Sequence, residues 1–220
     1  MKIFISNCTS IGNAGNPLGR LPKFQKLLKS KNASDDLKVL AFAPSSYWLS
    51  SNRKICEKNL LDDYNQALQY TMKIYPNSPI YLYGHSLGGS IGCLISHRFQ
   101  HHSNIRGLIL ENSFKSLPEM VKAYFHNPRL PYYHLHPFTF DKFNAVNDCH
   151  KIKLPTLVMI SENDELVPHN HGEAIFKNLG TDNKQLKVIK NSLHENAYLN
   201  PSWSKIFNDF ININVKNDYN

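Results

Sequence analysis

Short apolar runs recur along the chain, separated by longer stretches in which apolar and polar positions mix with helical spacing. Lys2–Ser6, Lys38–Ala43, Pro79–Tyr83, Ile105–Glu111, Pro155–Ser161 and Gln185–Ile189 have the length and β-forming content of strands. Pro22–Ser30, Asn59–Ile74, Leu87–Phe99, Pro168–Asn178 and Pro201–Phe210 read as the helices between them. Strands that alternate with helices predict a parallel, doubly wound sheet of about six strands with flanking helices. No repeat or low-complexity linker interrupts the pattern, so residues 1–220 are expected to form one domain. The polar tail from Asn212 to Asn220 is expected to fray.

One segment breaks the alternation. Phe114 to His150 carries Tyr124, Phe125, Tyr132, Tyr133, Phe138, Phe140 and Phe143, and Pro128, Pro131 and Pro137 interrupt it. An aromatic, proline-broken insertion between two sheet strands is expected to cap the carboxyl ends of the strands. A surface loop stapled by its aromatics is the alternative. Its histidines, His126, His134 and His136, lack the spacing of a metal site.

The candidate chemistry begins at Gly84-His85-Ser86-Leu87-Gly88-Gly89, where the apolar run Ile80–Tyr83 enters G-x-S-x-G and a helix follows. Strand, tight serine turn and helix make a nucleophile elbow, the arrangement of α/β-hydrolases. Gly84 and Gly88 are needed because side chains there would collide with the neighbouring strand and helix. His85 lies inside the elbow, and its side chain is expected to point away from the base.

A base and an orienting acid should come later in the order Ser, Asp, His. Asp164 stands a few residues into the loop after the run ending at Ser161, with Glu162 a rival for the role. Helix capping is the other reading of Asp164. His194 follows the last strand. One oxyanion N–H is assigned to Leu87, the residue after the serine, and a second to the glycine-containing loop Ile11–Asn16.

Composition narrows the function classes. The 220 residues are 41% hydrophobic, with no run near the ~20 apolar residues of a membrane-spanning helix. Cys8, Cys56, Cys93 and Cys149 form no C-x-x-C pair, so reduced thiols are expected and no metal is. The first residues read as a strand and not as a signal peptide, which predicts a cytoplasmic location. The net charge of +8 comes from scattered lysines, Lys23, Lys26, Lys29 and Lys31 among them, read as a solvated surface. No dense basic tract suggests nucleic acid; weak peripheral contact with an anionic membrane is the expectation.

Gly12-Asn13-Ala14-Gly15-Asn16, the Gly84–Gly89 elbow, Glu111-Asn112-Ser113-Phe114, Ser161 to Pro168 and His194 together resemble the bud-emergence-type α/β-hydrolase-domain proteins, classed among serine-aminopeptidase-like hydrolases. Ile11 stands where that family has His, and Ala43–Tyr47 replaces its D-Y-R-G-Y-G. The chain aligns from what would be the family's third strand, so the amino-terminal edge hairpin is expected to be missing. The resemblance implies a Ser86–Asp164–His194 triad with oxyanion N–H groups from Asn13 and Leu87. It also implies a lipid, small-molecule or acyl-protein substrate, since relatives include thioesterases and lipases, many membrane-anchored. The expectation is therefore a serine hydrolase of esterase, lipase or thioesterase type, monomeric, without metal or organic cofactor. A serine peptidase of the same fold and a non-catalytic binding protein are the alternatives.

Overall fold

The computed structural model describes residues 2–7, 16–29, 37–124 and 140–216. Six strands form one sheet: β1 (Lys2–Asn7), β2 (Leu37–Phe42), β3 (Ile80–His85), β4 (Ile105–Glu111), β5 (Thr156–Ser161) and β6 (Lys184–Ile189). Their spatial order is β2-β1-β3-β4-β5-β6, and all five pairings are parallel. No antiparallel strand occurs among the described residues. The helices are α1 (Leu21–Lys29), α2 (Glu57–Ile74), α3 (Leu87–Phe99), α4 (Leu117–Tyr124), α5 (Ala145–Asp148), α6 (His169–Asn178) and α7 (Pro201–Lys216).

Side-chain alternation along the central strands builds two cores. Ile80, Leu82, Leu108, Leu110, Val158 and Ile160 pack under α2, α3 and α6, where Leu68, Ile91 and Ile175 meet them. Tyr81, Tyr83, Ile109, Leu157, Met159 and Ile189 face the other way, toward Leu27 of α1 and Trp203, Phe207 and Phe210 of α7. A parallel sheet buried on both faces explains the near-continuous apolar runs. The strand order reverses between β1 and β3, and ligand crevices of doubly wound sheets open at that point beyond the carboxyl ends of the strands.

Two expectations need correction. The chain from Asn212 to Lys216 continues α7. Ile211 is fully buried, and the Asn214 side chain donates to the Phe210 carbonyl and accepts from Asn183 Nδ2, so tertiary contacts extend the helix past its apolar start. Within the proline-broken insertion, α4 and α5 form short helices. Pro118 sits in the first turn of α4, where no N–H is needed, and Ser116 Oγ accepts from Glu119 N. Residues 125–139 of that insertion lie outside the described residues.

Lys23 is the second correction. It is 3% exposed, not solvated. Its Nζ donates to Glu111 Oε1 at 2.8 Å and to Tyr83 Oη at 3.0 Å. Tyr83 Oη and Trp203 Nε1 both donate to Glu111 Oε2, at 2.7 and 2.8 Å. Burial raises the Glu111 pKa, but the Lys23 ammonium and these donors outweigh it and hold the carboxyl down at about 2. Removing one partner of a buried ion pair leaves an uncompensated charge. Lys23→Met should therefore cost about 3–5 kcal/mol in urea unfolding, and adding Glu111→Gln should recover much of it. The folded-state pKa of Glu111 is depressed, so its contribution is present above the ordinary value of 4.5 and lost as pH falls toward 2. Unfolding curves from pH 6 to pH 2 in the wild type and in the double variant check this: the wild type should lose more stability over that window.

Candidate active site

β3 delivers Ser86 at a sharp turn. Its φ of 57° and ψ of −125° lie in a region that non-glycine residues rarely occupy, and α3 starts at the next residue. Two features hold the turn. Ser86 N donates to the Glu111 carbonyl at 2.9 Å. Gly84 also packs so closely on the α3 backbone that a Cβ would stand 2.5 Å from the Gly88 carbonyl oxygen and the Gly89 Cα. The sequence reading did not explain Gly89. A Cβ there would meet Ser113 Oγ at 1.7 Å, a contact supplied by a residue 24 positions away and therefore invisible in the elbow itself.

The loop after β6 brings His194 to Asp164. His194 Nδ1 lies 3.0 and 2.9 Å from the two Asp164 oxygens, and both side chains are 1% exposed. A carboxylate at Nδ1 accepts a hydrogen bond from the ring, which keeps the imidazole proton on Nδ1 and leaves Nε2 as the acceptor. Asp164 Oδ1 also accepts from the N–H groups of Leu166 and Val167, at 2.9 and 2.8 Å. These bonds form a turn ahead of α6 and not a helix cap, because α6 starts at His169. Glu162 is engaged elsewhere: it binds Lys190 Nζ at 2.6 Å and Asn191 N at 2.8 Å.

His85 departs from its expected orientation. Its ring lies 4.7 Å from the His194 ring, centroid to centroid, and its Nε2 is 2.8 Å from the His194 carbonyl. Burial, then the nearby Lys23 charge, pushes its pKa down to about 3, so the neutral ring donates to that carbonyl from Nε2. The same carbonyl accepts from Asn112 Nδ2 at 2.8 Å. Asn112 has a φ of 49°, donates also to Ser161 Oγ at 2.8 Å, and accepts from Ser161 N at 2.7 Å. One buried amide thus ties the ends of β4 and β5 to the histidine loop. Motif spacing marked Asn112, but the role emerges only when the three segments meet.

Ser86 and His194 line one cavity of about 450 Å³, with Phe114, Leu117, Met120, Val121, Tyr124, Leu166, Val167 and Glu195. Its wall is mostly apolar, and much of it comes from the start of the insertion after β4. The Glu195 carboxylate is gripped by both guanidinium nitrogens of Arg20, with Nη2 to Oε1 at 3.1 Å. Burial raises its pKa, but the Arg20 bonds and neighbouring positive charges bring it to about 2. Leu87 opens α3, where the first N–H groups lack intrahelical acceptors. Asn13 and the rest of the 8–15 loop lie outside the described residues, as does Cys8. Cys149 is fully buried with its thiol on the Ala145 carbonyl.

His85, His194 and Glu195 hold one ligand atom each within 4.8 Å of one another. A cation there would have to compete with the Arg20–Glu195 pair and with the His85 bond to the His194 carbonyl.

The match to known proteins follows the same parts. The family model described as "Serine aminopeptidase, S33" matches residues 57–136 and 142–198. The chain belongs to this family. Protein bem46 of Schizosaccharomyces pombe is 28% identical over 213 residues, covering 94% of this chain and 66% of the relative. Lysophosphatidylserine lipase ABHD12 of Xenopus tropicalis is 25% identical over 154 residues, covering 61% and 40%. The chain thus spans less than two thirds of the length of these curated relatives. Among solved structures, Est1E of Butyrivibrio proteoclasticus with bound ferulic acid has a TM-score of 0.74 at 16% identity, covering 98% of this chain and 90% of that one. The Pyrococcus furiosus esterase Pf2001 has a TM-score of 0.72 at 19% identity, covering 97% and 82%. The fold is that of the α/β-hydrolases. Among the described residues no helix is long and apolar enough to cross a membrane.

Proposed function

We propose that the chain is a serine hydrolase that cleaves a carboxylic ester or thioester of an apolar acyl group through an acyl-enzyme. The observation that carries this reading is a strained serine and an aspartate-bound histidine opening on one mostly apolar cavity. Ser86 Oγ bonds to the acyl carbon while its proton passes to His194 Nε2. Asp164 holds the tautomer and the charged ring that results. The Leu87 N–H, with Asn13 as second donor by family resemblance, steadies the oxyanion. The leaving group departs with the proton from His194. Water, deprotonated by the same ring, then releases the acid and restores Ser86.

The cavity wall favours an acyl chain over a peptide's charged amino terminus. Among the described residues Glu195 is the one carboxylate on that wall, and Arg20 already neutralises it. A binding protein without turnover would gain nothing from Ser86 at a φ of 57°. The test is a series of p-nitrophenyl esters from acetyl to decanoyl. Each methylene buried in the cavity contributes about 0.8 kcal/mol, so kcat/KM should climb about fourfold per methylene until the cavity is full. A flat series, or faster release of aminoacyl amides, would turn the reading toward the peptidase.

A further inference from the structure

Arg20 and Glu195 are 175 positions apart, and they meet beside His194. Arg20 ends the 3-10 helix Pro17–Arg20, in the segment that follows β1, and Glu195 belongs to the loop that follows β6. β1 and β6 are not neighbours in the sheet. Both guanidinium nitrogens reach the carboxylate, a two-pronged fit that gives such pairs direction as well as energy. The Arg20 side chain is 19% exposed and that of Glu195 44%.

Arg20 is delivered there by parts that do not depend on Glu195. Asn16 caps the 3-10 helix by accepting from Leu18 N at 2.9 Å. α1 starts at the residue after Arg20 and is anchored twice. Lys23 is buried on Glu111 and Tyr83. Lys26 Nζ donates to the carbonyls of Leu199 and Asn200, at 3.0 and 3.4 Å, so α1 also lies against the chain that follows the His194 loop.

A Glu195 carboxylate oxygen lies within 4.8 Å of a ring nitrogen of His194 and of one of His85. Burial raises the Glu195 pKa, but the Arg20 bonds and nearby positive charges hold it at about 2, so the group is charged across the working pH range. Other charged groups also face His194. Asp164 holds Nδ1 and Glu165 accepts from the His194 N–H, both from the loop after β5. His85, at the end of β3, is neutral. Next to it Lys23 of α1 and Glu111 of β4 cancel each other. Without Arg20, His194 would face three carboxylates, with no cation among the described residues to offset the third. An imidazolium so stabilised holds on to its proton, and a base that must return that proton works best when its affinity matches the working pH.

We propose that Arg20 is a positioning residue of the reaction: by gripping Glu195 it cancels the carboxylate beside His194 and leaves that ring free to pass the Ser86 proton to the leaving group. The same grip keeps the Glu195 oxygens off the His194 ring. The proposal rests on the hydrolase reading for the step it serves; the charge balance itself needs no turnover.

The test follows two readouts against pH in the full chain. One is kcat/KM for p-nitrophenyl butyrate. The other is the His194 ring titration by proton NMR, picked out among the 11 histidines by the signals lost in His194→Gln. Arg20→Gln removes one positive charge and should move the acid limb of the rate profile and the ring midpoint up by about one pH unit. Glu195→Gln removes one negative charge and should move both down by a similar amount. The double variant should return near the wild-type position. Arg20→Lys, which keeps the charge and loses the two-pronged grip, should shift far less than Arg20→Gln. A part-exposed pair contributes little to folding, and urea curves check that each variant is folded over the pH range used. A clasp with only a structural role would lower the plateau rate and leave the midpoints where they are. Midpoints that stay put, or that move the same way in both single variants, overturn the proposal. Opposed NMR shifts in a chain without esterase turnover would uphold the charge balance and strike the hydrolase reading instead, which keeps the two failures apart.

Discussion

Ser86→Ala should reduce kcat toward esters by about 10⁶, which corresponds to about 8 kcal/mol of transition-state stabilisation. The size follows from the division of labour. His194 has no other hydroxyl to deprotonate at the elbow, so removing the oxygen idles His194 and Asp164 together. Residual hydrolysis should come from the oxyanion donors and the cavity alone. Folding should survive, because among the described residues Ser86 Oγ holds no structural bond: the turn is secured by the Ser86 N–H on the Glu111 carbonyl and by the close contact of Gly84 with α3. Relief of strain is small, since alanine at a φ of 57° is no more comfortable than serine. Steady-state rates paired with a urea unfolding curve check both halves. An unchanged midpoint with lost turnover is expected.

Asp164→Asn should lower kcat about 10⁴-fold while leaving KM within a few-fold. An amide in place of the carboxylate offers an NH₂ to His194 Nδ1. The imidazole then carries its proton on Nε2, where Ser86 needs an acceptor. The amide oxygen can still accept from Leu166 and Val167, so the turn before α6 keeps its bonds. Glu162→Gln should do little to kcat, because Glu162 is spent on Lys190 and Asn191. If the two substitutions exchanged effects, the acid would have been assigned wrongly.

The architecture was legible because its main signals are local. Leu87–Phe99 and Ile105–Glu111 have the predicted bounds, and the other strands shift by a residue or two at their ends, where fraying and pairing decide. α4 was hidden because its residues read as part of a proline-broken aromatic stretch, and only the first-turn position of Pro118 makes the helix possible. The pairing of Asp164 with His194 could be foreseen from the order of loops in a parallel sheet. The support around it could not. Lys23 sits in a basic helix, and its burial depends on Glu111, 88 positions away. His85 turns toward His194 because the His194 carbonyl, 109 positions away, offers it an acceptor. Asn112 likewise serves partners 49 and 82 positions away. Each is a long-range polar bond, which neither periodicity nor motif spacing encodes.

These long-range bonds converge on the loop that carries the base. The His194 carbonyl is held by His85 and Asn112, its N–H by Glu165 Oε2 at 2.9 Å, and the next residue, Glu195, by Arg20. In the proposed function His194 exchanges a proton without moving, and its fixing on both sides of the backbone is the preorganisation that such a reaction requires.

The measurement that tests the central claim most directly is labelling of the full chain with a fluorophosphonate, followed by peptide mapping by mass spectrometry. The account predicts a single stoichiometric adduct on Ser86, absent in Ser86→Ala and greatly slowed in Asp164→Asn. An adduct on another residue, or no adduct under conditions where the chain is folded, would contradict it.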